Sequence, residues 1–168
     1  MAQRQNGMTA QRHTFTSTRG HDRGLYEADE HAWIARQIEA LQDGNLDRLD
    51  RANLAEYLTE MTVRDRRELR SRLTVLLQHL LKMQLQPERM SASWGRTILE
   101  QQREVGQIIE GIPSLGAQAD AFAAAAYPDA IKAAALETGL PASRFPAQSP
   151  WTVAQALAVD PPTPTSRQ

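Results

Sequence analysis

The stretch LRSRLTVLLQHLLKMQLQPE, residues 69 to 88, constrains the fold more than any other part of the chain. Placed at about 100° per residue around a helix, its leucines fill one broad sector: Leu69, Leu73, Leu76, Leu77, Leu80 and Leu81. Val75 and Met83 fall well outside the centre of that sector, with His79 between them. A helix that is apolar over most of its circumference is normally contacted on several sides. The sequence therefore predicts that a helix over about residues 64 to 85 lies at the centre of the fold.

Apolar residues recur every three to four positions along most of the remaining chain, which is typical of helices. We predict further helices over about residues 28 to 42, 50 to 62 and 93 to 112, with Ser93 as the N-cap of the last of these. An alanine-rich stretch follows, which Pro128 is expected to divide in two, and a short final helix is expected to be capped by Ser149. The predicted fold class is all-α: a bundle of about five to seven helices around the leucine-rich one.

The two ends of the chain lack this periodicity. Residues 1 to 24 are rich in Gln, Arg, Thr and Gly, and the C-terminal end DPPTPTSRQ is rich in proline. Such compositions do not form a packed core. We therefore predict a single helical domain over residues 25 to 158, between disordered tails at 1 to 24 and 159 to 168.

Composition excludes several kinds of protein. The 19 basic and 20 acidic side chains give a net charge of −1, which argues against binding nucleic acid through a whole-protein field. Without cysteine, no disulfide can form and no thiolate can act as a nucleophile or metal ligand. The longest uncharged apolar run, Leu73 to Leu81, falls short of the roughly 20 residues that span a bilayer. We expect a cytoplasmic protein that does not enter a membrane.

Several motifs give the chain a family resemblance. They are, in order, YEADEHAW, LDRANLAEYL, SRLTVLLQHLLKMQLQPE, SWGRTILEQQREV and AAALETGLPASRFPAQSPWT. Over about residues 25 to 158 the chain resembles the bacterial family known as domain of unknown function 29. The resemblance implies an all-helical fold and no established activity. Tyr57 stands where relatives are expected to have a second acid after Glu56, and Ser149 where cysteine is frequent, so chemistry by paired acids or a thiol is not implied here.

The four histidines show none of the spacings typical of metal sites. Glu27 and His31 lie four residues apart and would share one side of a helix, but a single pair does not hold a metal. We predict no metal and no cofactor.

Four residues are candidates for catalysis. Glu56 and Glu60 lie four apart, opposite the apolar face of their helix. They form a solvated face, accept hydrogen bonds from arginines further along the chain, or act as a catalytic acid pair. His79 is a packed histidine hydrogen-bonded at a helix interface, or a general base working with Lys82 one turn away.

The segment RDRRELRSR, residues 64 to 72, is strongly basic. Its five arginines are Arg64, Arg66, Arg67, Arg70 and Arg72. They are candidates for binding phosphate or nucleic acid, although little aromatic sequence accompanies them for base stacking. Alternatively, some of them pair with acids inside the fold.

The pattern of many helices and few clustered reactive groups favours a protein interaction or adaptor module over an enzyme. The expected partner is another protein or a second copy in a homodimer. The alternatives are a nucleic-acid-associated protein that uses the arginines of residues 64 to 72, and an enzyme that uses Glu56 and Glu60 with His79 and Lys82.

Overall fold

The structure, a computed structural model, describes residues 19 to 162, with side chains from residue 24 onward. Within that range the chain forms α-helices and no β-strand, which confirms the predicted all-α class. The helices are α1 (Arg19–Ala28), α2 (Glu30–Gln42), α3 (Arg51–Leu85), α4 (Ala92–Gly111), α5 (Pro113–Gly116), α6 (Ala119–Thr138) and α7 (Val153–Leu157). Short 3₁₀ turns lie at Leu46–Arg48, Pro87–Arg89 and Ala142–Arg144. None of the described helices combines the length and apolarity needed to cross a bilayer.

The described residues divide into two compact units, one up to residue 60 and one from residue 61 onward. The core of the first unit forms around Trp33 of α2, which is fully buried. Its ring lies 4.7 Å from that of Tyr26 and meets the ring of Tyr57 edge-on at 5.7 Å, measured between centroids. Next to it, Gln37 Oε1 accepts a hydrogen bond of 2.8 Å from the backbone N–H of Asp50. Aromatic packing and one buried amide thus join α1, α2 and the beginning of α3.

In the second unit the predicted central role of the leucine-rich helix is confirmed. The six leucines of its broad sector are each at most 1% exposed. Leu69, Leu73, Leu77 and Leu81 pack in one apolar cluster with the small residues of α6 and with Phe145, whereas Leu76 and Leu80 pack in another with Ile98 and Ala156. Each fully buried leucine contributes about 1.5–3 kcal/mol to the stability of the fold. Because its leucines pack in two clusters, this helix organises the core on two sides.

Two predicted helix boundaries are wrong. We expected a break near residue 63, but α3 is continuous over 35 residues, because no Gly or Pro interrupts the helix between Arg51 and Leu85. We also expected Pro128 to divide the alanine-rich stretch, but α6 passes through it. Buried residues of α6 continue at helical spacing on both sides of Pro128, so packing outweighs the missing N–H of the proline.

Two predicted caps lie elsewhere. Ser91 caps α4 by accepting a 3.3 Å hydrogen bond from the N–H of Trp94, in place of Ser93. Thr152 caps α7 in a reciprocal capping box with Gln155, in place of Ser149. Helix α1 begins at Arg19, inside the segment predicted as a tail. The remainder of that segment, residues 1 to 18, and residues 163 to 168 lie outside the described part of the chain.

Candidate functional site

A buried lysine is the most unusual polar feature of the second unit. Lys82 lies in the last turn of α3, where the helix dipole favours a cation, and it is only 2% exposed. Its Nζ lies 4.2 Å from the centroid of the Trp94 ring on α4 and forms an ion pair with Glu137 on α6. From the sequence, Lys82 was considered only as a catalytic partner of His79. The structure shows instead that α4 and α6 close over it.

Glu137 is the more accessible partner of this pair, with 49% of its side chain exposed. Its Oε2 accepts from Lys82, and its Oε1 accepts a 2.6 Å hydrogen bond from Gln78 Nε2. The hydrogen bond from Lys82 is the main cause that lowers the pKa of Glu137, while partial burial acts in the opposite direction. The arrangement fixes an ionised carboxylate at the surface, which can accept hydrogen bonds but is not suited to donate a proton near neutral pH.

His79 is half-buried on the same helix. Its Nδ1 lies 2.9 Å from the carbonyl oxygen of Val75, so Nδ1–H donates this bond and Nε2 is left as an acceptor. Desolvation is the largest cause that lowers the pKa of His79; the bond to Val75 raises it, and the charge of Lys82 lowers it further. The histidine is therefore hydrogen-bonded, as considered from the sequence, but within its own helix and not across a helix interface. The ammonium of Lys82 already has Glu137 and Trp94 as partners.

Two buried amides near the core carry oxygen atoms without a hydrogen bond. Gln86 Nε2 donates to the carbonyl oxygen of Thr138 at 3.3 Å, but Gln86 Oε1 has no partner. Gln101 Oε1 on α4 is likewise buried and without a partner.

Sequence reasoning did not select Glu137, Gln78 or Trp94 as partners of Lys82. The available signal was a lysine in an otherwise leucine-rich helix, since a buried ammonium requires an acid.

The arginine cluster divides into paired and unpaired members. Arg70 forms an ion pair with Asp129 at 3.0 Å, and Arg72 lies 3.3 Å from Glu68 and 3.8 Å from Glu104. The other three, Arg64, Arg66 and Arg67, are exposed, and no ion pair joins them to another residue in the described part of the chain. Arg64 and Arg67 are neighbours on the helix surface, whereas Arg66 points away from them. The structure therefore leaves a small basic patch rather than five aligned arginines.

The carboxylates predicted as a possible acid pair belong to the first unit, whereas His79 and Lys82 belong to the second. Glu56 and Glu60 are both exposed. Desolvation, followed by the negative charges of these two residues, raises the pKa of Tyr26. Among the described residues, no three His, Asp or Glu side chains come together as ligands for a metal ion.

The first unit also carries exposed apolar side chains. Ile38, Leu41, Leu46 and Leu58 are 48% to 55% exposed. The described part of the second unit, although more than twice as long, has three such residues: Met61, Leu99 and Leu136. Single exposed apolar side chains are normal, but in the described part of this protein they are concentrated in the smaller unit.

Fold and site together define an all-α protein with a leucine-rich central helix and a buried Lys82–Glu137 pair. A family model described as "Domain of unknown function DUF29" matches residues 25–160. The match covers most of the chain, so this protein belongs to that family and the resemblance seen in its motifs is confirmed. No curated protein and no solved structure matches the chain.

Proposed function

We propose that this protein is an interaction module whose first unit binds a protein partner through its exposed apolar side chains. The observation that carries the proposal is the concentration of four exposed large apolar residues, Ile38, Leu41, Leu46 and Leu58, within the first unit. Exposed apolar surface that is grouped rather than scattered is typical of interaction sites.

The geometry of α2 and α3 supports this grouping. Ile34, Ile38 and Leu41 follow one another on α2 at spacings of four and three, and Leu54 and Leu58 lie four apart on α3. We call these five residues the apolar flank. All of them are half-buried or exposed.

The two rows of the apolar flank lie on the same side of the first unit. The contacts of Trp33 with Tyr57 and of Gln37 with Asp50 show that α2 and the start of α3 run in opposite directions. Viewed along each helix from its N-terminus, the row of apolar residues is rotated by about 60–100° from the residues that contact the other helix. The rotation has the same sense in α2 and in α3. In an antiparallel pair this brings the two rows together in one surface.

The alternatives have less support. A nucleic-acid function depends on Arg64, Arg66 and Arg67, which do not share one face of α3. Catalysis by His79 with Lys82 requires an ammonium that is already paired with Glu137.

A chain without cysteine suits a reducing compartment, and the cytoplasm is the compartment we propose.

Site-specific photocrosslinking tests the proposal. A photoreactive amino acid is placed at position 38 or 58, or at position 136 as a control, in the cells that naturally contain the protein. Leu136 is the matched control because it is a large apolar residue, 86% exposed, in the other unit. We expect one discrete adduct from positions 38 and 58 that position 136 does not give.

The partner identified in that adduct is then purified and titrated with the protein. The double substitution Ile38→Ser/Leu58→Ser should weaken binding by about tenfold or more, whereas Leu136→Ser should leave it unchanged. If positions 38 and 58 give no adduct beyond that of position 136, the proposed function is wrong.

A further inference from the structure

We infer that two copies of this protein associate by exchanging their C-terminal segments, residues 151 to 161, which we call the strap. In the structure the strap lies on α3, α4 and α6 of its own chain. In the associated form, the strap of each copy lies in the same place on the other copy. The exchange involves the second unit alone, so it is independent of the proposed function.

The strap covers an apolar groove between α3 and α4. Leu76 and Leu80 of α3 and Ile98 of α4 form the floor of this groove. Ala156 of α7 packs against them, and all four residues are at most 1% exposed. Leu157, the next residue of the strap, is half-buried against the same cluster. A short amphipathic helix whose apolar side fills a groove between helices is a common form of peptide recognition.

Polar side chains beside the groove hold the strap by its backbone. Gln102 Nε2 on α4 donates hydrogen bonds to the carbonyl oxygens of Ala156, at 2.9 Å, and of Val159, at 2.7 Å. Asp120 Oδ1 on α6 accepts a 2.7 Å hydrogen bond from the N–H of Val153. Because all these contacts lie between the strap and the helices, a strap from a second copy makes the same ones. Exchange of an identical element is therefore a low-cost route to a dimer.

A short hinge connects the strap to the rest of the second unit. Phe145 is buried, and the carbonyl oxygen of Pro146 accepts a 3.0 Å hydrogen bond from the Tyr127 hydroxyl, so the chain is anchored up to this point. The hinge consists of residues 147 to 150, of which three are exposed and one is half-buried. Pro150 favours an extended backbone at the residue before it, and short hinges promote exchange.

Exchange requires the strap to leave its own groove. Its helix α7 has only five residues, and an element with few buried contacts at the end of a chain opens at a lower free energy than the core. A released strap is too short to stay helical by itself. It regains its contacts by binding a free groove, either its own or that of another copy. A high protein concentration should therefore favour exchange.

Engineered cysteines distinguish the two locations of the strap. A Cβ added at Gly95 of α4 would lie 3.9 Å from Cβ of Pro161, which is the separation found in disulfides. The natural chain contains no cysteine. The full-length Gly95→Cys and Pro161→Cys proteins are mixed at high concentration, incubated and then oxidised. We expect mass spectrometry to identify a disulfide between positions 95 and 161 of different copies.

The matched control replaces Pro161→Cys by Leu136→Cys, since Leu136 is 86% exposed on α6 and lies outside the strap. This second mixture should give no 95–136 disulfide beyond the amount found without incubation. Circular dichroism checks that every variant is folded. The new side chain at position 95 also meets Met90 Cε at 3.5 Å, an ordinary van der Waals contact.

The rate of exchange gives a second measurement. Gln102→Leu, introduced into both cysteine proteins, removes the two hydrogen bonds to the strap and leaves a side chain of similar size. The same bonds are lost in the closed and the exchanged forms, so the final yield of the 95–161 disulfide should not change. The disulfide should form about tenfold faster, because the strap opens more readily. An unchanged rate would show that the disulfide arises from collisions and would overturn the inference.

The double variant Gly95→Cys/Pro161→Cys completes the test. At low concentration it should form a disulfide within one copy, which confirms the position of the strap. If that disulfide forms but mixing gives none between copies, the strap does not exchange and the inference is overturned. Absence of both disulfides in folded proteins overturns it as well, because the strap then does not lie against α4. Light scattering of the unsubstituted protein must show a dimer at high concentration; a monomer throughout has the same consequence.

Discussion

At the scale of single residues, the Lys82–Glu137 pair is asymmetric. Lys82 is 2% exposed, whereas 49% of the Glu137 side chain reaches solvent. If the lysine is removed, water can solvate the carboxylate. If the glutamate is removed, the ammonium stays buried with only the Trp94 ring for compensation. The two partners should therefore respond differently to substitution.

We predict that Glu137→Ala destabilises the protein more than Lys82→Met. The first substitution leaves a buried charge without its counterion and should cost about 2–4 kcal/mol, less than a wholly buried pair because water reaches the site. The second replaces the lysine by an apolar side chain of similar length and should cost less than about 1.5 kcal/mol. Urea denaturation at pH 7 measures both values. The opposite order would show that Lys82 is not effectively desolvated.

His79 should make stability depend on pH. Its pKa in the folded protein is lowered from 6.5, chiefly by desolvation, so the unfolded chain binds the proton more readily. The free energy of unfolding should therefore fall as pH decreases through 6.5, down to the lower pKa of the folded state.

The matching variant is His79→Asn, whose amide nitrogen can replace Nδ1 as the donor to Val75. We expect the slope of stability against pH between about 5 and 7 to be shallower in this variant than in the wild-type protein. Identical slopes in the two proteins would contradict the assignment.

At the scale of elements, tertiary packing overrides local signals in α6. Pro128 lies in the middle of this helix. Ala126, Tyr127 and Ala130 are buried around it, and the Tyr127 hydroxyl donates a 3.0 Å hydrogen bond to the carbonyl oxygen of Pro146. These contacts hold both halves of α6 in one helical register.

We predict that Pro128→Ala raises the stability of the protein. Position 128 is exposed, so the change restores an N–H that can bond to the carbonyl of Ala124 and removes no core contact. A gain of about 1–3 kcal/mol is expected, visible as a higher melting temperature. A lower melting temperature would instead mean that the fit of α6 against the core depends on the proline ring.

At the scale of the whole molecule, the chain forms two units of unequal core size. Among its described residues, the first buries Trp33, Gln37, Ala40 and Asn53, whereas the second buries six leucines of α3 with much of α4 and α6. Regions with fewer buried apolar contacts open at lower free energy.

Hydrogen exchange should reveal this difference. We expect backbone amides of α2 to exchange faster than those of residues 69 to 81. Equal protection of the two regions would show that the chain unfolds as one cooperative unit.

The sequence by itself determined the all-α class and the central helix. A repeat of leucines every three to four residues is typical of a helix, and apolar residues over most of its circumference require neighbours on several sides. The site was only partly predictable: His79 was expected to be hydrogen-bonded at a helix interface, but its bond is to Val75 of its own helix. Some arginines were expected to pair with acids inside the fold, but Arg70 pairs with Asp129 at the surface.

Only the tertiary structure decided which polar residues are buried and with what. Lys82 and Glu137 lie 55 positions apart in the chain, and nothing local to either one encodes their contact. The continuity of α6 through Pro128 and the common side of the two rows on α2 and α3 depend in the same way on how helices pack. Periodicity belongs to one helix at a time, whereas pairing belongs to the arrangement of several.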